Sequence, residues 1–214
     1  MTQRVVEPEI LDGLAHDDPE AIRSRRDLRL VHFLMGNESC LLRVLRRYAA
    51  EVKSGICEWG AGDGACAVRM ARAFPGATIT ALDLAPRPAG LDPRIVWQQG
   101  DLLAGGAGTD GGILVANMFL HHFDRPQLQR LGEMCRGFRV LLFNEPDRTR
   151  LALLWSALLW PLVGRVTRHD MPASIRAGFR RGELTAWLGL QADDWHIAET
   201  STWRGARRVV AWRT

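Results

Sequence analysis

Between Ser54 and Phe74 the chain passes from a short apolar run (SGICEW) through Glu58-Trp59-Gly60-Ala61-Gly62-Asp63-Gly64 into ACAVRMARAF, a segment with helical apolar spacing. This order predicts a buried strand, a glycine turn and a helix, the opening unit of a parallel α/β sheet. Alternate glycines suit the turn because a residue without Cβ adopts left-handed torsions and lets a ligand touch the main chain. The amides that open the following helix then point at whatever is bound. Glycine spacing alone leaves the ligand open, since Gly60 to Ala65 also satisfies the dinucleotide pattern G-x-G-x-x-G/A. Glu58 tips the balance, because a carboxylate two residues before the first glycine suits a cationic ammonium group and repels a pyrophosphate.

Downstream, Ala77 to Asp83 (ATITALD) is β-branched and apolar and ends in a carboxylate, a good acceptor for two vicinal ribose hydroxyls. Arg94 to Leu102 (RIVWQQGDL) predicts a third strand closing on Gly-Asp, with Asp101 equally suited to capping the segment after it. A fourth strand, Gly112 to Asn117, leads into Met118-Phe119-Leu120-His121-His122-Phe123, and Phe138 to Asn144 predicts a fifth, ending at Glu145-Pro146. Taken together, these segments resemble the class I S-adenosylmethionine-dependent methyltransferases, and among them the small-molecule, natural-product and quinone-type group. The match to the family's first motif lies in Glu58, Gly60, Gly62 and Gly64; Trp59 is bulky where the family varies. The resemblance implies S-adenosyl-L-methionine as cofactor, with Asp83 at its ribose, Asp101 and Leu102 beside its adenine, and Leu84 and Asn117 among the other residues that bind it. It further implies a base among His121 and His122 assisted by Glu145, with His121 as the base, His122 toward substrate or cofactor, and Glu145 orienting the imidazole.

Alternating strand-like and helix-like segments predict a doubly wound, Rossmann-like sheet with helices on both faces. The resemblance raises the expectation to seven strands, mostly parallel. Trp195–Thr202 and Arg207–Arg213, joined around Gly205, supply a C-terminal antiparallel hairpin. Asp18-Pro19 predicts the start of a helix running toward Leu34, and a second helix spans about Glu38 to Val52. Asp124 to Cys135 predicts another, with proline in its first turn. The expected division of the single domain, residues 1–214, is a helical cap over 1–52, a cofactor core over 54–146, a helical acceptor lid over 147–192 and the hairpin over 193–214. Within the lid, Leu151 to Val163 is apolar nearly all round but too short for a membrane span, so a buried helix is expected, with an interfacial or substrate-facing role as the alternative. Trp155 and Trp160 offer flat surfaces of the kind that hold an aromatic acceptor. His169, beside Asp170, suits either a lid hydrogen bond or catalysis.

With 214 residues, 47% of them hydrophobic, the chain can bury a full core. Its formal charge of +4 comes almost entirely from arginine, Lys53 being the one lysine. Arg23, Arg25, Arg26 and Arg29, then Arg180 and Arg181, then Arg207 and Arg208, lie close together without interleaved aromatics, which predicts solvated faces rather than a nucleic-acid surface. Cys40, Cys57, Cys66 and Cys135 are too scattered for a zinc site, so no metal is expected and the thiols are expected to be reduced. The first residues lack an apolar run of signal-peptide length, which makes the cytoplasm the simplest location. The expected function is methylation of a small, hydroxyl-bearing, aromatic or apolar acceptor, by a chain that functions alone or as a homodimer. A nicotinamide-dependent oxidoreductase is the first rival, yet Tyr48 and Lys53, the sole tyrosine and lysine, both precede the glycine loop and cannot form a reductase tyrosine-lysine pair. A non-catalytic, cofactor-binding scaffold subunit is the second rival. RNA methylation is weaker, since Asn117-Met118-Phe119-Leu120 lacks the Asn-Pro-Pro-Tyr type of base-methylating motif.

Overall fold

Asp18 opens the first helix: its carboxylate accepts from the Glu20 amide at 2.7 Å, and Pro19 needs no partner for a missing N–H. α1 (Pro19–Met35) ends at Gly36, whose φ of 68° turns the chain away. The computed structural model describes residues 3–15, 17–105 and 111–213. Where one helix is expected over 38–52, the chain forms α2 (Asn37–Leu45), a 3-10 turn at Arg46–Tyr48 and α3 (Ala49–Val52). Tyr48 leaves helical torsions, and its ring packs 6.2 Å from that of Trp212, so a tertiary contact overrides local propensity there.

The core then alternates as its sequence predicts: β1 (Ile56–Trp59), α4 (Ala65–Ala73), β2 (Ile79–Asp83), β3 (Ile95–Gln99), β4 (Gly111–Asn117), α5 (Arg125–Cys135) and β5 (Phe138–Pro146). After β5 come α6 (Arg150–Leu159), α7 (Arg165–Ala177), α8 (Glu183–Trp187), β6 (His196–Ser201) and β7 (Ala206–Trp212). The seven strands form one sheet in the order β3-β2-β1-β4-β5-β7-β6. β3 to β5 pair in parallel, whereas β7 runs antiparallel to both β5 and β6. Period-two alternation sends Ile113 and Val115 into the core on one face and Leu114 and Ala116 into the core on the other. The chain winds outward in opposite directions from β1 and β4, so their carboxyl ends frame the crevice where ligands bind in such sheets.

Two sequence expectations are corrected. The apolar 151–163 segment is not buried all round: in α6 only Ala152 and Ser156 are buried, while Leu154 and Leu158 are 63% and 68% exposed. Helical spacing explains this, because positions 151, 154 and 158 share one face and the small residues 152 and 156 pack inward on the other. Arg207 is the second correction. It is buried rather than solvated, with its guanidinium on Asp147 Oδ1 at 2.7 Å and on Glu199 Oε1 at 2.9 Å, which balances its charge. No helix among the described residues is long and apolar enough to cross a membrane.

α5 packs so closely on the turn after α8 that a Cβ on Gly132 would lie 1.9 Å from the Leu188 carbonyl oxygen. Gly132→Ala is therefore expected to destabilise the fold by about 2 kcal/mol or more in denaturant unfolding, although alanine favours a helix by about 1 kcal/mol. An unchanged midpoint would show that the two elements separate freely.

Candidate active site

A cavity of about 700 Å³ opens at the carboxyl ends of β1, β2 and β4. Glu58, Gly60, Gly62, Asp83, Leu84, Asp101, Leu102 and Asn117, all anticipated from sequence, line it; Gly64 helps to shape the loop without reaching the wall. Gly60, Gly62 and Gly64 each have positive φ, at 70°, 57° and 75°. At Gly60 a side chain is also sterically forbidden, since its Cβ would sit 2.1 Å from the Phe119 ring. At Gly62 nothing lies within 4 Å of a Cβ, which leaves backbone facing open space. The Gly62 amide donates to Asp83 Oδ2 at 2.7 Å, and the Ala85 amide donates to Oδ1 at 2.9 Å. A carboxylate offers about four acceptor sites, so Asp83 braces the loop and keeps capacity for hydroxyl donors. Asp101 caps the next turn through the Leu103 amide at 2.8 Å and also faces the cavity, so both sequence readings of it are compatible with its position.

Glu58 is buried, and its Oε2 has no hydrogen-bond partner. Burial pushes its pKa up to about 8; a hydrogen bond with Cys66 pulls the other way, and the nearby charges of Asp83, Asp63 and Glu38 raise it further. An acidic group in that position is set to receive a cationic donor from the cavity.

The loop after β4 is organised by Glu145, which is fully buried at the end of β5. Its carboxylate accepts from the amides of Phe119, Leu120 and His121 at 3.1, 2.8 and 3.2 Å, and lies 2.8 Å from His121 Nδ1. His121 Nε2 lies 3.5 Å from Glu9 Oε1, and Glu9 also accepts a hydrogen bond from Ser174. Burial alone pushes the His121 imidazole down, but hydrogen bonds to Glu145 and Glu9, with their charges, outweigh it and raise its pKa to about 9. His122, half-buried, has Nδ1 3.4 Å from Asp12 Oδ2 and its ring 4.3 Å from that of His121. One ligand atom from each of Glu9, His121 and His122 lies within 4.8 Å of the others, a spacing that a metal ion can bridge. No sequence spacing announces that group, because Glu9 is remote in the chain. The four cysteines are free thiols.

A second cavity, of about 880 Å³, adjoins the first and is bounded by α1, α2, α6, α7 and the β6–β7 turn. The two share four wall residues: Leu28, His32, Met118 and Ser174. Met118, at φ 58°, is the one non-glycine residue with positive φ among the described residues, and its amide donates to Asn144 O at 2.7 Å. His32 was missed from sequence, although Leu28 and His32 are spaced i, i+4 on one helical face. Burial lowers its pKa to about 4, so its imidazole is neutral at pH 7. Trp155 lines the second cavity, as sequence suggests, with its ring 5.0 Å from that of Trp203. His169 lines neither cavity: its side chain is mostly exposed, and its Nδ1 lies 3.0 Å from Asp170 Oδ1. Trp160 is likewise outside and half-exposed.

This combination of sheet order, inserted reversed strand and glycine-loop cavity is the class I methyltransferase fold. No family model matches the chain, and no curated protein matches it by sequence. Among solved structures it is similar to the plantazolicin methyltransferase BpumL in complex with SAH, at 9% identity and a TM-score of 0.70, covering 92% of this chain and 91% of that one. It is also similar to magnesium protoporphyrin IX methyltransferase (ChlM) from Synechocystis PCC 6803 with bound SAH, at 16% identity and a TM-score of 0.60, covering 93% and 91%. The methyltransferase SibL matches at 18% identity and a TM-score of 0.65 over 98% of this chain and 63% of its own.

With both carboxylates in place, His121 is expected to stay protonated through neutral pH and to titrate near 9 in nitrogen-resolved NMR. Its pKa is raised above the ordinary value of about 6.5, so the ion pair contributes fully to stability below that value and fades as pH rises through 9. Glu9→Gln removes one of the two charges and is expected to move this titration downward; a titration that stays in place would mean Glu9 does not act on the ring.

Proposed function

We propose that the chain is an S-adenosylmethionine-dependent methyltransferase acting on a small aromatic or apolar acceptor that bears a hydroxyl group. The observation that carries this reading is the pair of cavities meeting at His32 and Met118, one lined by the glycine loop and the carboxyl groups of Glu58, Asp83 and Asp101 and the other walled mainly by apolar side chains. When bound, S-adenosylmethionine supplies an activated methyl on a positively charged sulfur, so the protein's work is alignment, exclusion of water and management of one proton. Glu58 Oε2 is proposed to receive the cofactor's amino group, which fits a buried acidic oxygen that has no other partner. Asp83 and Leu84 are proposed to hold the ribose, Asp101 and Leu102 to flank the adenine, and Asn117 to close the site. A nicotinamide cofactor carries no ammonium group to draw the proton from the buried Glu58 carboxyl and pair with it.

For the proton, the sequence-derived proposal is His121 as base, oriented by Glu145, with His122 facing the cofactor cavity. Protonated at pH 7, His121 would serve as base only as pH approaches 9 or as Glu9 moves away. A second reading is favoured by position. His32 stands in the wall common to both cavities, where the methyl must cross; its ring is neutral at pH 7 and can accept a hydrogen bond from the hydroxyl, and it becomes an effective base only if the bound acceptor or cofactor raises its pKa from about 4. Trp155 is proposed to contact the acceptor; His169, outside both cavities, is not.

Isothermal titration with S-adenosylhomocysteine should give saturable binding that Glu58→Gln and Asp83→Asn each weaken about ten-fold or more, with NADH inert. Glu58 begins with its pKa near 8 and a bound ammonium group lowers it, so binding at pH 7 should release a proton and strengthen as pH rises toward 8. Heats that do not vary among buffers of different ionisation enthalpy would remove Glu58 from the site. Methyl transfer to a phenol panel, if detected in the purified chain, excludes a purely scaffolding role. His32→Ala should then lower kcat about 10²-fold if His32 is the base, whereas loss confined to His121→Ala, with a rate rising to pH 9, would return that role to His121. Turnover undiminished by EDTA would fit chemistry without a metal at Glu9, His121 and His122.

A further inference from the structure

The acceptor cavity has a one-sided charge. Arg43, Arg204 and Arg208 line it, and among the described residues no aspartate or glutamate does. The remaining wall is mainly aliphatic and aromatic, with Trp155 and Trp203 in it and the Arg204 guanidinium 4.9 Å from the Trp203 ring centre. Two of the cations converge: a Cβ placed on Gly36 would lie 3.7 Å from both Arg204 Nη1 and Arg208 Nη2. Among the described residues none of the three is in an ion pair, whereas Arg148 and Arg207 elsewhere in the lid and hairpin have carboxylate partners.

Their local bonds do not account for the accumulation of charge. Arg204 Nη1 donates to Leu34 O at 2.9 Å, and Arg208 Nη2 donates to Met35 O at 2.9 Å and Gly36 O at 3.2 Å, so both cap the carboxyl end of α1. A helix end carries about half of one negative charge, which cannot balance two full positive charges, still less the third on Arg43. Each guanidinium has five N–H donors and these contacts use few of them; Arg208 Nε is buried without a partner. Arg43 and Arg204 are exposed, where water solvates their charge, whereas Arg208 is half-buried, and the apolar wall beside it strengthens its attraction for an incoming anion.

From this arrangement we propose that the acceptor is an anion: an aromatic or otherwise apolar body that carries a carboxylate or phosphate group, held by Arg43, Arg204 and Arg208 while its hydroxyl faces the cofactor cavity. The inference deepens the methyltransferase reading and rests on it for the word acceptor, but the anion site itself can be tested without turnover. The β6–β7 turn becomes a specificity element, since it carries both Trp203 and Arg204.

The test is calorimetric titration of the full chain with matched probes: 2-naphthoate and 2-naphthyl phosphate against neutral 2-naphthol, and 4-hydroxybenzoate against its methyl ester. At least one anion is expected to bind ten-fold or more tightly than its neutral partner, and the margin should shrink with added salt. The carboxylate and phosphate arms distinguish the two anionic groups. The combined variant Arg43→Gln, Arg204→Gln is expected to abolish the margin, while Arg208→Lys, which keeps the charge, should retain most of it and Arg208→Gln should not. S-adenosylhomocysteine affinity, measured alongside, should not change in any of them, which reports an intact fold and cofactor site. Equal affinity for charged and neutral probes, or a margin that survives loss of the arginines, overturns the proposal. Binding of anions with the expected margin in a chain that takes up no S-adenosylhomocysteine would uphold the anion site and fell the methyltransferase reading instead.

Discussion

The Glu145 carboxylate is the anchor of the sheet's carboxyl edge. A charge with no exposure to water is tolerable only when its lone pairs are occupied, and here three successive amides and one imidazole occupy them. Those amides belong to the residues that follow β4, so the end of β5 dictates the path of the neighbouring strand's loop. Met118, held in a left-handed conformation with its amide on Asn144 O, begins that path, and His121 and His122 end it. Remove the carboxylate and three main-chain donors lose their acceptor together.

The two cavities differ in electrical character. Around the glycine loop the walls are acidic, with Glu58, Asp63, Asp83 and Asp101 present together and Glu58 driven toward its neutral form. Beyond His32 and Met118 the walls are mainly apolar, and the charged side chains on them among the described residues are arginines. The gradient suits a reaction in which a cationic donor meets an anionic acceptor, because each partner is repelled from the other's compartment and drawn to its own.

Much of the glycine-loop half was legible in the sequence, because strand, glycine turn and helix are local patterns and each acid marks a strand end. Glu58, Gly60, Gly62, Asp83, Asp101 and Asn117 all reach one cavity, as their order suggests. The hairpin was legible through its two β-rich runs around Gly205. Glu9 was not, since nothing in a short amino-terminal segment reveals that it will fold back on His121 and Ser174. His32 escaped for a related reason: one histidine on a helix reads as ordinary until the tertiary fold makes its turn a partition between two cavities. The exposed leucines of α6 and the buried Arg207 were misjudged because composition describes a segment's average, whereas burial is decided residue by residue by what packs against it.

Phe119 gives the glycine loop a further property. Its ring fills the space where a side chain on Gly60 would stand, and the same residue offers its amide to Glu145. The turn after β1 and the loop after β4 thus share one piece of volume, so neither can swing outward without opening a gap beneath the other. The shape of the cavity beside the glycine turn and the placement of His121 and His122 are consequently joined through one aromatic wedge.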